Sequence, residues 1–230
     1  SHELRTPLNA VIGYSEVLHD EIFGPMEHEK YHEYSKDIHA SGTHLLELIE
    51  DILDLSKIET GNIVVDENEV DVGEMMKETM RIAAPATQKG NFTLSVDIVP
   101  DFPILLADET RLRQVLLNLL SNAFKFTPEG GKISVKIAIN EDGEPEFSVS
   151  DTGIGIAAED IHHVLAPFGR VEQPTVDNTR GTGLGLPLSK SLIEMHGGAF
   201  RLSSTFGEGT NVTFSLPAHR AIYRSSRVAG

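Results

Sequence analysis

Apolar residues step through the first sixty positions by alternating fours and threes. Leu4, Leu8, Val11, Ser15, Leu18 and Ile22 form one run, and Tyr34, Ile38, Ser41, Leu45, Leu48, Ile52 and Leu55 form a second. That spacing keeps one stripe of each segment on a common face and predicts two helices sharing an apolar seam. Between the runs, Phe23-Gly24-Pro25-Met26 supplies breaker residues for a reversal, so an antiparallel helical hairpin is expected. A lone hairpin cannot cover its own seam, whereas two hairpins from two chains close a four-helix bundle. A homodimer through residues 1–60 is therefore expected, against the alternative that the seam packs on the rest of its own chain.

Past Gly61 the pattern changes to short β-rich runs separated by amphipathic helices. Residues 62–72 read as strand, 74–88 as helix, and 92–99 alternate as a strand does. Asp108 stands as the N-cap of a helix whose apolar face is Leu112, Val115, Leu116, Leu119, Leu120 and Ala123. Two strands follow at 132–139 and 146–150. Residues 151–183, rich in Gly, Pro, Thr and Asp, read mainly as a mobile loop with one short helical patch at 158–165. Helix resumes near 184–196 and stops at Gly197-Gly198. Residues 199–205 and 210–216 then pair across the turn at 206–209. The expected fold of residues 61–218 is an α+β two-layer sandwich, with helices stacked on one face of a mixed sheet. Residues 217–230 carry Arg220, Arg224 and Arg227 with no acid and little apolar periodicity, and 219–230 are expected to be a tail.

Charge sharpens the two-part picture. Residues 1–60 hold 13 acids and four bases, and residues 61–230 hold 22 acids and 15 bases, giving −9 and −7 of the total −16. Such an acidic chain repels nucleic acid and anionic membrane, so no nucleic-acid partner is expected. The absence of Cys excludes disulfides, thiolate zinc sites and Cys nucleophiles together. No apolar run approaches the roughly 20 residues needed to span a bilayer, and no secretory signal pattern is present. A cytoplasmic location is expected for this portion, with any membrane attachment made through regions outside it.

Four clusters in the second region carry candidate chemistry. Asn118 and Asn122 lie at i and i+4 on one face of an otherwise apolar helix, with Lys125 one turn on. Amide oxygens are hard ligands suited to Mg2+, and Lys125 suits a phosphate, although such residues at a helix end are also commonly just solvated. Asp151-Thr152-Gly153-Ile154-Gly155 follows a strand. Its glycines allow close backbone approach, and its carboxylate accepts from an amino group. Gly181-Thr182-Gly183-Leu184-Gly185 precedes a helix, where free N–H groups and the dipole favour phosphate. No βαβ unit surrounds it, which excludes a Rossmann fingerprint. The fourth cluster is Gly207-x-Gly209-Thr210, between the last two strands.

Taken in order, these four clusters resemble the ATP-binding domain shared by sensor histidine kinases and the gyrase-type ATPases. Ser1-His2-Glu3-Leu4-Arg5-Thr6-Pro7-Leu8 in turn resembles the phosphoacceptor box of two-component sensor histidine kinases, placed where that family has its dimerisation domain. The resemblance covers nearly the whole chain. It implies an ATP-dependent protein histidine kinase that phosphorylates His2 and passes the phosphoryl group to an aspartate on the receiver domain of a response regulator. Phosphatase activity toward that regulator is implied as an option.

The resemblance also implies roles. His2 is the acceptor, Glu3 its general base, and Thr6 positions water for dephosphorylation. Asn122 and Asn118 hold Mg2+, Lys125 faces phosphate and Phe126 lies against the nucleotide. Asp151 reads the adenine amino group, Gly153 and Gly155 line the base pocket, and Thr210 assists through water. Gly181, Thr182, Gly183, Leu184 and Gly185 form a lid over the phosphates, with Phe168 anchoring it or packing in the core. Arg170 is expected to stabilise γ-phosphate charge. ATP and Mg2+ are the implied cofactors.

The gyrase-type enzymes resemble one another in placing glutamate where this chain has Asn118. An amide cannot accept the proton from an attacking water, which favours transfer to His2 over hydrolysis. Tyr14, Ser15 and Leu18 are expected regulator contacts. Members of the family carry about three further helical turns before the acceptor, whereas His2 stands next to the first residue. A dimeric nucleotide-binding scaffold without chemistry, a pseudokinase, is the rival reading, and a metal site at His28, His32, His39 and His44 a minor one.

Overall fold

The computed structural model describes residues 2–22, 24–26, 29–61, 64–171 and 182–223, with side chains described at all of these except 2–7, 29, 44, 59 and 89. The chain divides into two compact units, Ser1–Thr60 and Gly61–Gly230. The first holds α1 (His2–His19) and α2 (Glu29–Glu59), packed against each other along their length.

Small residues set the spacing of this hairpin. Ser35 donates its hydroxyl to the Ser15 carbonyl, and Ser15 Oγ donates to the Ile12 carbonyl at 2.8 Å. A Cβ at Gly42 would come within 2.9 Å of the Ile12 side chain. At the reversal, Glu21 adopts φ +50 and Gly24 φ +116. The Glu21 carboxylate accepts from Met26 N–H at 2.9 Å and meets His32 Nε2 at 2.6 Å. Phe23, expected at this turn, lies outside the described residues.

The expected seam does not run as one stripe. Leu8 and Ser15 are buried between the helices, but Val11, Leu18, Ile22, Tyr34, Ile38, Leu45 and Ile52 are exposed. A seven-residue repeat marks the a and d positions without deciding which of them faces the sister helix and which faces outward. The hairpin therefore keeps an uncovered apolar surface. Ser15, expected as a regulator contact, is buried at 2% exposure and bonded within the hairpin, so that expectation is corrected; Tyr14 and Leu18 are exposed.

In the second unit, α3 (Val72–Lys89), α4 (Glu109–Phe126) and α6 (Gly185–Met195) lie on one side of a five-stranded sheet. Its strands are β2 (Thr93–Ile98), β4 (Lys132–Ile139), β5 (Pro145–Asp151), β7 (Gly209–Ser215) and β6 (Ala199–Thr205), in that spatial order. β2 runs parallel to β4 and the other pairs are antiparallel. Alternation along the strands sends Ile133, Val135, Ile137, Phe147, Val149, Val212 and Phe214 into the core, where Phe147 and Phe214 stack at 4.8 Å. Leu112, Val115, Leu116, Leu119, Leu120 and Ala123 meet them from α4. Each large side chain among these contributes about 1.5–3 kcal/mol by leaving water. Asp108 caps α4, its Oδ1 accepting from Arg111 N–H at 3.1 Å. A short helical turn at Ala158–Asp160 leads into α5 (Ile161–Val164).

Three expectations are corrected here. Of the strand expected over 62–72, the described residues 64–72 hold only β1 (Asn68–Val70). A second sheet exists, with β3 (Ile104–Ala107), absent from the expected strands, between β1 and the short strand β8 (Ala221–Ile222). The tail expected at 219–230 is structural through at least β8 (Ala221–Ile222), which pairs with β3. Arg220 is buried: Nε donates to the His196 carbonyl and Nη1 to the Leu106 carbonyl, both at 2.7 Å, and Nη2 donates to Glu67 Oε1 at 2.8 Å. A guanidinium with three acceptors fits an interior that an unpaired charge cannot enter.

Candidate functional site

The end of β5 brings the carboxylate motif to the edge of the sheet. Asp151 pairs with Ile133 on β4 and Thr210 on β7. Its Oδ1 accepts from Gly153 N–H at 2.8 Å and Thr210 N–H at 3.3 Å. Burial raises the Asp151 pKa above its ordinary value, and those two N–H groups oppose the rise. With Oδ1 twice occupied, Oδ2 is the remaining acceptor.

Glycines around it admit backbone where side chains would not fit. A Cβ at Gly153 would stand 2.6 Å from the Phe126 carbonyl, and one at Gly155 (φ +66) would stand 2.0 Å from the Thr205 carbonyl. Ile154 bridges both walls: its N–H donates to Phe126 at 3.1 Å, and its carbonyl accepts from Gly207 N–H at 2.7 Å. The hydroxyls are also assigned. Ser204 Oγ donates to the Gly209 carbonyl at 2.8 Å and accepts from Ile156 N–H at 2.8 Å. Its one proton being used, the 2.9 Å contact with Thr210 has Thr210 Oγ1 as donor, which leaves the Thr210 lone pairs as acceptors.

α4 and α6 form the opposite wall. Asn118 Nδ2 donates to Ser189 Oγ at 2.7 Å, and a Cβ at Gly185 would lie 2.2 Å from Asn118 Oδ1. Glycine opens α6 because the Asn118 carboxamide occupies that space. Asn122 lies one turn further along α4, half-buried, and Lys125 Nζ sits 4.7 Å above the Phe126 ring. Asn118 and Asn122 thus offer amide oxygens of the kind Mg2+ takes, on the same face of α4.

Phe168 and Gly183, expected at the lid, meet through their backbones. Phe168 N–H donates to the Gly183 carbonyl at 3.0 Å, Phe168 holds φ +63 and Gly183 φ +71. Phe168 is 60% exposed, which excludes core packing. Arg170 is exposed, with Cγ 3.2 Å from where a Cβ at Gly183 would be. Thr182 Oγ1 accepts from Leu184 N–H at 3.0 Å. Leu184 is expected among the ligand residues, but its side chain is fully buried, so it anchors α6 and offers a ligand only its backbone. Gly181 and the rest of 172–181 lie outside the described residues.

His2, Glu3 and Thr6 fall on the first turns of α1. Ser189 and Ser204 escaped the sequence reading. Ser189 had a signal, being a polar residue four positions after Gly185 in an apolar helix; Ser204 looked like any strand serine. His32 is engaged by Glu21, His28 and the His44 side chain are outside the described set, and no group of three or more His, Cys, Asp or Glu able to hold a metal occurs among the described residues. No helix among the described residues is long and apolar enough to cross a membrane.

Comparison with known proteins gives two family matches. Residues 1–61 match the His Kinase A phospho-acceptor domain, and residues 107–220 match the histidine kinase-, DNA gyrase B- and HSP90-like ATPase. The chain is 45% identical to the Non-motile and phage-resistance protein of Caulobacter vibrioides, over 99% of this chain and 27% of that protein. It is 37% identical to the Cell-division control histidine kinase PdhS of Brucella suis, over 96% of this chain and 22% of that protein. It therefore spans roughly a quarter of the length of these relatives. Among solved structures, full-length ShkA in complex with AMPPNP superposes with a TM-score of 0.80 at 30% identity, covering 97% of this chain and 45% of that one.

Proposed function

The chain belongs to the sensor histidine kinases, with their phosphoacceptor and ATP-binding domains, and from that premise we propose that it phosphorylates itself on His2 from ATP and passes the group to an aspartate of a receiver domain. The observation that carries the nucleotide half is the Asp151 carboxylate. One oxygen is fixed by two backbone N–H groups and the other is the remaining acceptor, beside glycines that leave no room for side chains. Such an acceptor fits the adenine amino group and rejects the guanine carbonyl oxygen.

ATP bound there supplies the phosphoryl group, and Mg2+ would be held by Asn122 and Asn118 and neutralise its charge. The protein's own residues do the rest. Asp151 and Thr210 orient the base, and Lys125, Arg170 and the lid around Thr182, Gly183 and Gly185 close on the phosphates. His2 offers a neutral ring nitrogen while Glu3 takes the proton from the other. A phosphoramidate on His2 is a reactive donor, and Thr6 would position the water that hydrolyses the regulator's aspartyl phosphate, a reaction separate from the transfer. We assign residues 1–60 to dimerisation and phosphotransfer, and 61 through at least 222 to ATP binding. The exposed Val11, Ile22, Ile38, Leu45 and Ile52 support a second hairpin as the cover for the first. Tyr14 and Leu18 are offered to the regulator.

The test is incubation with γ-labelled ATP and Mg2+, alongside His2→Gln and Asn122→Ala. The expected result is acid-labile, alkali-stable label lost in both variants. Label retained by His2→Gln overturns the acceptor, and nucleotide binding without label in the wild-type protein assigns a scaffold instead.

A further inference from the structure

α4 and α6 run antiparallel and are fastened at two levels. At the site, Asn118 Nδ2 donates to Ser189 Oγ. About 15 Å away along α4, at 1.5 Å per residue, the cap residue Asp108 meets the last turn of α6. There, His196 Nε2 accepts from Asp108 N–H at 3.2 Å, and His196 Nδ1 lies 2.7 Å from the Leu192 carbonyl. These partners fix the tautomer. A carbonyl can only accept, so Nδ1 carries the proton, and a backbone N–H can only donate, so Nε2 is bare.

The ring is 1% exposed, and its surroundings are closed on every side that carries charge. Arg220 binds the His196 carbonyl, Asp108 Oδ1 takes Arg111 N–H and Oδ2 takes Asp66 N–H at 3.2 Å, and Glu67 holds Arg220. Burial lowers the His196 pKa from the ordinary 6.5. Arg220 adds to the lowering, while the Leu192 carbonyl, Asp108 and Glu67 oppose it.

Resting on the nucleotide-site reading above, we propose that His196 is a positioning residue for ATP binding, its neutral ring pinning the cap of the Asn118/Asn122 helix to the end of the helix that Gly185 opens. A proton on Nε2 would set donor against the Asp108 donor and remove the far pin. The near contact and the packed apolar faces of α4 and α6 would remain, but without the far pin Asn118 and Asn122 would be held less firmly against α6.

The experiment measures affinity for AMPPNP with Mg2+ from about pH 8 to about pH 5 in the wild type, His196→Gln and His196→Leu, with melting curves at each pH. Gln keeps an acceptor able to meet Asp108 N–H and does not titrate. Comparing wild type with His196→Gln cancels the titration of the nucleotide phosphates and of other groups. The expected result is a wild-type affinity that falls about five- to tenfold more than that of His196→Gln toward the acid end. His196→Leu is expected to bind about fivefold more weakly throughout. Equal acid losses in wild type and His196→Gln overturn the proposal even if His196→Leu does not fold, and leave the nucleotide site standing. Absence of AMPPNP binding by the wild type at every pH overturns the nucleotide site and this proposal with it.

Discussion

Asp151 and Thr210 stand opposite each other in the β5–β7 ladder, and the Thr210 N–H donates to Asp151 Oδ1, the oxygen that Gly153 also occupies. In Asp151→Asn the amide oxygen can keep both backbone bonds while an NH2 group replaces the remaining acceptor. ATP affinity should fall about 10- to 100-fold, the worth of one hydrogen bond to a charged group, and GTP should gain relative to ATP. Competition binding with the two nucleotides checks this; equal loss of both would remove Asp151 from base recognition.

The same substitution carries a pH signature in the absence of nucleotide. Because burial raises the folded-state pKa of Asp151 above 3.8, its contribution to stability is fully present below 3.8 and is lost as pH rises through the raised value. Asp151→Asn cannot show that loss. Its melting temperature should therefore climb relative to wild type across that window, as thermal melts at stepped pH would reveal.

Gly155 and Gly130 both have positive φ, +66 and +80, but only Gly155 lies against backbone. Gly130→Ala should cost about 1 kcal/mol, from the left-handed conformation alone. Gly155→Ala should cost upwards of about 4 kcal/mol, since its Cβ would overlap the Thr205 carbonyl. Urea unfolding of the two variants separates strain from collision.

Arg220→Met leaves the His196 and Leu106 carbonyls short of a donor in the interior. A loss of about 3 kcal/mol is expected, with a lower urea midpoint and an unchanged slope. A loss under about 0.5 kcal/mol would mean that the expected tail was the better description.

Ile38→Glu with Leu45→Glu puts charges on the exposed face of α2. Sedimentation should shift from dimer to monomer while the second unit keeps its melting behaviour. An unchanged sedimentation coefficient would place the dimer contact elsewhere.

Local signals carried much of this structure. The Asp108 cap and the apolar face of α4 follow from pattern because each is set by residues within one or two turns, and the motifs around Asp151 were visible as local residue patterns although Thr205 and Thr210 complete them from afar. What escaped was set at long range. Ile104-Leu105-Leu106-Ala107 is a strand only because β1 and β8 flank it, and a four-residue apolar run has no period to read. Arg220 looked solvated because its three acceptors lie 24, 114 and 153 residues away. His196 was visible as a helix end, but its tautomer needed Asp108 beside it.

Those separations bear on how the protein is made. Glu67 and Leu106 leave the ribosome long before Arg220 does, so the guanidinium that joins them to His196 arrives after all three of its partners. Until then the last turn of α6 and the edge of the small sheet lack their common tie, and a nascent chain cannot finish this domain from its N-terminal end alone. Closure of the nucleotide-binding unit thus waits on the segment that carries Arg220, a late checkpoint written into one buried arginine.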